Sequence, residues 1–178
     1  MPSLETCHIH YYATSPLPSV LIDMVRRSSI SLKQIRLELL QEHSSSFRDS
    51  PLLLDILQAV PKLTRFELSL NTAFVDDIVS VLLSKFEDGS PDFLPLLDYF
   101  SLELSYVTLN TQVVERILEV VSARQRTFHP LAEFRFTRFD EFTQVKPERF
   151  VMEPELIERI RILDEGHVKV VIQDCVKP

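Results

Sequence analysis

The feature that most constrains this chain is a frame that recurs along it: a leucine, two residues, then apolar residues in strict alternation. It reads Leu4-Cys7-Ile9, Leu32-Ile35-Leu37, Leu63-Phe66-Leu68, Leu97-Phe100-Leu102 and Leu131-Phe134-Phe136, and a last alternating run is Val168-Val170-Ile172. The leucines stand roughly 28 to 34 residues apart, a period that belongs to repeat architectures. Period-2 alternation is the pattern of a strand with one buried face. Pro2, Pro61 and Pro95 lie two residues ahead of a frame leucine and Pro130 one ahead. Proline lacks an N–H and restricts the residue before it, so at these units it stops the preceding helix.

Between the strands the apolar period changes to that of a helix. Leu17, Val20, Leu21, Met24 and Val25 form the first stripe, with Ser15 as cap and Pro16 at the first position. Ser50 and Pro51 open the same way for Leu53, Ile56, Leu57 and Val60. Phe74, Ile78, Val81 and Leu82 form a third stripe, behind Asp76 and Asp77. Val113, Val114, Ile117, Leu118 and Val121 form a fourth, capped by Asn110 or Thr111. Leu156, Ile157, Ile160 and Leu163 form a fifth, after Pro154, with Gly166 as C-terminal cap. Polar loops are expected over 41–49, 87–92 and 138–153.

The expected fold class is α/β, one domain over residues 1–178 with about five to six irregular strand–helix repeats. Two architectures fit. A doubly wound, flavodoxin-like parallel sheet buries both faces of its strands, which then read as nearly all apolar. A solenoid lines a concave face with the strands of a parallel sheet and puts helices on the convex side. The segments FELSL, FSLEL and FRFT alternate polar with apolar, which favours the solenoid.

Composition removes several function classes. Only two glycines are present, Gly89 and Gly166, too few for a phosphate-cradling loop. The net charge of −7 argues against a general affinity for nucleic acid or anionic membrane. No apolar run is long enough to span a bilayer, and the N-terminus does not read as a secretory signal. Two cysteines, Cys7 and Cys175, make no disulfide framework, so an intracellular setting (cytoplasm or nucleus) is expected.

The frame resembles a leucine-rich repeat, L-x-x-L-x-L-x-x-N. Leu63, Phe66, Leu68 and Asn71 match it in full, while the other units carry Tyr12, Leu40, Ser105 and Phe139 at the asparagine position. More narrowly, AVPKLTRFELSLN, LPLLDYFSLEL, VVERILEVVSARQR before PLAEFRF, and ELIERIRILDEGHVKVVI resemble the C-terminal repeat region of the fungal (basidiomycete-type) F-box/leucine-rich-repeat proteins. The resemblance spans nearly the whole chain. It implies a protein–protein interaction domain like the substrate-recognition repeats of an F-box subunit of a ubiquitin ligase. No F-box start precedes Leu4, so the Skp adaptor and cullin are implied as partners only through an upstream F-box. Two other readings stand beside it: a stand-alone or shortened repeat fragment without activity of its own, and the small flavodoxin-like domain.

If the strands line one open face, the residues between the buried ones project from it. These are Thr6, His8 and His10; Gln34, Arg36 and Glu38; Arg65, Glu67 and Ser69; Tyr99, Ser101 and Glu103; and Glu133, Arg135 and Thr137. The candidate partner-binding set is His8, His10, Arg36, Glu38, Arg65, Glu67, Tyr99, Ser101, Glu103, Glu133 and Arg135. Tyrosine and arginine are residues that interfaces favour; for any single residue the plainer reading is a solvated sheet with cross-strand ion pairs such as Arg36–Glu67. His8-x-His10 puts two imidazoles on one strand face while Cys7 points to the other. No third ligand is evident beyond Glu38 on the next strand, so ordinary surface histidines and no metal are expected. Ser44, Ser45 and Ser46 beside His43 lack an implied orienting carboxylate or oxyanion donor. No catalytic residue and no cofactor are therefore expected. Arg124, Arg126, Arg135 and Arg138 could form a basic patch for a phosphorylated segment, against the alternative of cations complementing a helix C-terminus.

Overall fold

The computed structural model describes residues 4–12, 19–28, 32–40, 52–70, 94–105, 111–125, 129–140 and 151–176. All six alternating segments are strands: β1 (Thr6–Tyr12), β2 (Gln34–Leu40), β3 (Arg65–Leu70), β4 (Tyr99–Ser105), β5 (Glu133–Asp140) and β6 (Lys169–Val176). They form one sheet in chain order, each parallel to its neighbour. A doubly wound sheet reverses its strand order at a switch point. This sheet has no reversal, so the flavodoxin-like alternative does not describe it.

Four of the five apolar stripes fall on described helices: α1 (Ser19–Ser28), α2 (Leu52–Ala59), α3 (Thr111–Gln125) and α4 (Pro154–Glu165). The third stripe, from Phe74 to Leu82, lies outside the described residues, as do the caps at Ser15, Ser50 and Asn110. Parallel neighbours require a crossover connection. Steps in one direction with the usual right hand bring the connecting helices to one side of the sheet. In agreement, α1 packs against α2 and α3 against α4, and the buried residues of helices and strands share one core. None of the described helices is long and apolar enough to cross a membrane.

Register turns the sequence repeat into rows. Cys7, Ile35, Phe66, Phe100, Phe134 and Val170 stand side by side across the six strands, and Ile9, Leu37, Leu68, Leu102, Phe136 and Ile172 form the next apolar row. Both rows are buried apart from Val170 and Ile172 on β6, which are half-buried. Phe66 stacks on Phe100 with ring centroids 5.6 Å apart and Phe100 meets Phe134 at 5.5 Å, an aromatic column through three repeats.

A second repeat lies in the backbone. The carbonyl just before β1, that of Glu5, accepts from the N–H groups of both Lys33 and Gln34; Lys33 O accepts from Thr64 and Arg65, Thr64 O from Asp98 and Tyr99, and Asp98 O from Ala132 and Glu133. Four units therefore enter the sheet through the same turn. The frame leucines Leu32, Leu63, Leu97 and Leu131 are buried beside it, whereas Leu4 on the edge repeat is exposed.

Two details correct the sequence reading. Gly166 caps α4 but has φ −78°, and the left-handed residue is its neighbour His167, at φ 70°. The α3 residue Arg124 is not a solvated helix-end cation. It is buried and donates through Nη1 to the carbonyl of Leu94, 2.9 Å away. Burial pushes its guanidinium down to about 10, so it is still charged at neutral pH.

Candidate functional site

The face opposite the core carries three polar rows. The first holds Thr6, Gln34, Arg65, Tyr99, Glu133 and Lys169. The second holds His8, Arg36, Glu67, Ser101, Arg135 and Val171, and the third His10, Glu38, Ser69, Glu103, Thr137 and Gln173. All eleven candidate residues thus stand in these rows.

The rows are laced by charge. Arg36 donates through Nε to Glu38 at 2.9 Å, and its two terminal nitrogens lie 3.5 Å from Glu67 and from Glu103. The pair Arg36–Glu67 read from sequence is therefore present, as one arm of a three-carboxylate cluster. Arg65 donates to Glu67 at 2.8 Å and lies over the Tyr99 ring, 3.6 Å from its centroid, a cation–π contact between neighbouring strands. At the other end Glu133 accepts from Arg135 at 3.0 Å and from Lys169 at 3.3 Å. Arg135 keeps its Nε buried without an acceptor among the described residues.

The acids differ in environment. Burial pushes the Glu103 carboxyl up; the charges of Arg36 and Arg135 oppose this, those of Glu67 and Glu38 add to it, and the net displacement is upward. Burial also pushes on Glu38, but hydrogen bonds from His8 and Arg36 with the charges of His10 and Arg36 outweigh it and hold that group below the ordinary range. Glu133 is likewise held low: the bonds from Arg135 and Lys169 overcome its burial.

At the β1 end, His8 and His10 are exposed with ring centroids 4.3 Å apart. Glu38 lies between them. Its Oε1 is 2.8 Å from His8 Nε2 and its Oε2 2.7 Å from His10 Nδ1. Cys7 is on the core side, where burial pushes its thiol up.

Other candidates are not brought together. Ser101 and Thr137 belong to the polar rows but are buried, so they offer little contact surface. Among the described residues the arginine patch does not form. Arg124 and Arg138 are buried, Arg135 is engaged with Glu133 on the polar face, and Arg126 lies outside the described residues. The polar loop from His43 to Ser46 also lies outside them. The β6 members of the face, Lys169, Val171 and Gln173, are missing from the sequence reading, which takes from that strand only its Val168-Val170-Ile172 alternation. The same alternation, taken one residue out of phase, picks out Lys169, Val171 and Gln173. No family model, curated protein or solved structure matches this chain.

Proposed function

We propose that this chain is a leucine-rich-repeat-like solenoid that captures another protein, non-covalently, on the polar face of its sheet. The observation that carries this reading is the in-register stacking of polar rows over six strands that follow one another in chain order. Such stacking presents an extended surface built from repeated positions, the arrangement that repeat proteins use for binding. Arg36, Arg65, Tyr99 and Arg135 supply the large amphipathic side chains that anchor interfaces. Their charges are largely balanced by Glu38, Glu67, Glu103 and Glu133, so the surface suits a partner of mixed charge rather than a polyanion. The resemblance to the substrate-recognition repeats of F-box proteins points to a ligase substrate as the partner; the Skp adaptor and cullin are partners only if an upstream F-box exists.

The test is affinity capture from the source cells with tagged wild-type chain, an Arg65→Glu/Arg135→Glu variant of the polar face, and an Arg161→Glu variant on α4. A partner retained by wild type and by Arg161→Glu but lost from the face variant supports the reading. Equal recovery by all three removes it. The longest form that the transcript encodes, run in parallel, decides the ligase link: recovery of the Skp adaptor and cullin by that form supports it, and their absence leaves a stand-alone binding module.

A further inference from the structure

We propose that His8, His10 and Glu38 form a three-ligand site for a divalent transition metal, zinc foremost, where β1 meets β2 on the polar face. The proposal does not depend on the partner-binding reading.

Strand geometry builds the site. Residues two apart on a strand share a face, which aligns the two imidazoles, and register sets Glu38 directly beside His10. The three donor atoms already converge: His8 Nε2, His10 Nδ1 and a Glu38 oxygen lie within 4.8 Å of one another. A tetrahedral zinc with bonds of about 2.0–2.1 Å holds its ligand atoms roughly 3.4 Å apart. Both rings are exposed and can rotate to close that gap without moving the backbone. In the hydrogen bonds that now join the rings to Glu38, the imidazole N–H groups donate to the carboxylate; a metal takes the place of those protons, binding the tautomer in which His8 Nε2 and His10 Nδ1 carry free lone pairs.

The surroundings suit such a site. Arg36 donates to Glu38 Oε1 at 2.9 Å, an outer contact that fixes the carboxylate as supporting residues do around metal ligands. Its own charge is offset by Glu67 and Glu103 on its other side. Cys7 is turned into the core, so the fourth position is left to water on the solvent side. Two imidazoles with one carboxylate select zinc, copper, nickel or cobalt over magnesium or calcium, which take oxygen ligands. Because the ligands come from an edge strand and its neighbour, bound metal also fastens β1 to β2, and a ligand that binds only the folded state stabilises it.

The experiment uses the full chain, free of any tag and stripped of metal. Zinc(II) is titrated by calorimetry and cobalt(II) by visible absorption, with magnesium(II) as control. Wild type is compared with His8→Gln, His10→Gln and Glu38→Gln, and with His129→Gln as a histidine outside the site. The expected result is one zinc per chain, tetrahedral-type cobalt absorption, a zinc-dependent rise in Tm, no response to magnesium, and affinity lowered more than about tenfold in each of the three site variants but not in His129→Gln. Absence of saturable zinc and cobalt binding overturns the proposal. So does binding that survives in a His8→Gln/His10→Gln double variant. Should a variant unfold differently without metal, NMR of wild type decides: selective broadening of the His8 and His10 ring signals by cobalt(II) supports the site, and broadening elsewhere removes it.

Discussion

Arg36 reaches past β3 altogether: its Nη2 lies 3.5 Å from Oε2 of Glu103 on β4. The contact is long, and it does not make Glu103 a comfortable anion. Burial and the neighbouring Glu67 and Glu38 leave its carboxyl above the ordinary glutamate value of 4.5. A carboxylate whose folded pKa is raised binds more protons in the native state than in the unfolded chain over that window. Stability therefore falls as pH rises through it. Glu103→Gln is expected to raise stability at pH 7, by up to about 1 kcal/mol, and to leave it unchanged at a pH below 4.5, where the wild-type group is already protonated. Urea unfolding on both sides of that window measures the difference.

Glu133 is expected to behave in the opposite sense. Although partly buried, it is held below the ordinary 4.5 by Arg135 and Lys169. Its contribution is present above the unfolded value and is lost as pH falls through the lower, folded one. Glu133→Gln should cost about 0.5–1 kcal/mol at pH 7, and the cost should shrink as acid protonates the wild-type group. High salt should reduce it as well, because the pair is partly exposed. Two glutamates on one sheet face, changed identically, thus shift stability in opposite directions. Equal signs would show that their local partners do not set their energetics.

The central repeats should be the most sensitive part of the core. Phe100 sits between Phe66 and Phe134 in the aromatic column and is buried. Phe100→Ala removes both ring contacts and opens a cavity, with an expected loss of about 3–5 kcal/mol. Phe100→Leu keeps most of the volume and should cost less than half as much. Val151, exposed on the approach to α4, provides the contrast: Val151→Ala should change stability by no more than about 0.5 kcal/mol. Chemical unfolding of the three variants gives the comparison.

Much of this architecture was legible because a parallel sheet repeats its register. Once Leu63-Phe66-Leu68 and Leu97-Phe100-Leu102 are aligned, the rows Phe66–Phe100 and Arg65–Tyr99 follow, and adding Leu32-Ile35-Leu37 to the alignment sets Glu67 beside Arg36. What alternation cannot specify is depth. Ser101 and Thr137, both with short side chains, obey the polar parity yet are buried. Arg124 and Arg138 look like surface cations in sequence yet are buried; Arg124 is drawn in by a carbonyl that only tertiary packing supplies. The convergence of His8, His10 and Glu38 depends on rotamers as well as on register, so the sequence shows the possibility and not the distances.

Left-handed backbone provides a final test. His167 at φ 70° and Leu94 at φ 50° both hold a conformation that costs a residue with a Cβ roughly 1–2 kcal/mol. The His167 side chain is exposed, so replacing it removes no core contact. His167→Gly relieves the strain and loses part of that gain to the greater freedom of glycine in the unfolded chain. The expected net effect is a stabilisation of about 0.5–1 kcal/mol. Leu94 is fully buried, and its carbonyl accepts the bond from Arg124. Leu94→Gly relieves the same strain but empties a core position, where loss of a leucine side chain costs about 2–5 kcal/mol. That variant should therefore be clearly less stable than wild type. Thermal and urea unfolding of the two glycine variants measure the signs. If His167→Gly is destabilising, the turn from α4 into β6 depends on the imidazole itself rather than merely tolerating it.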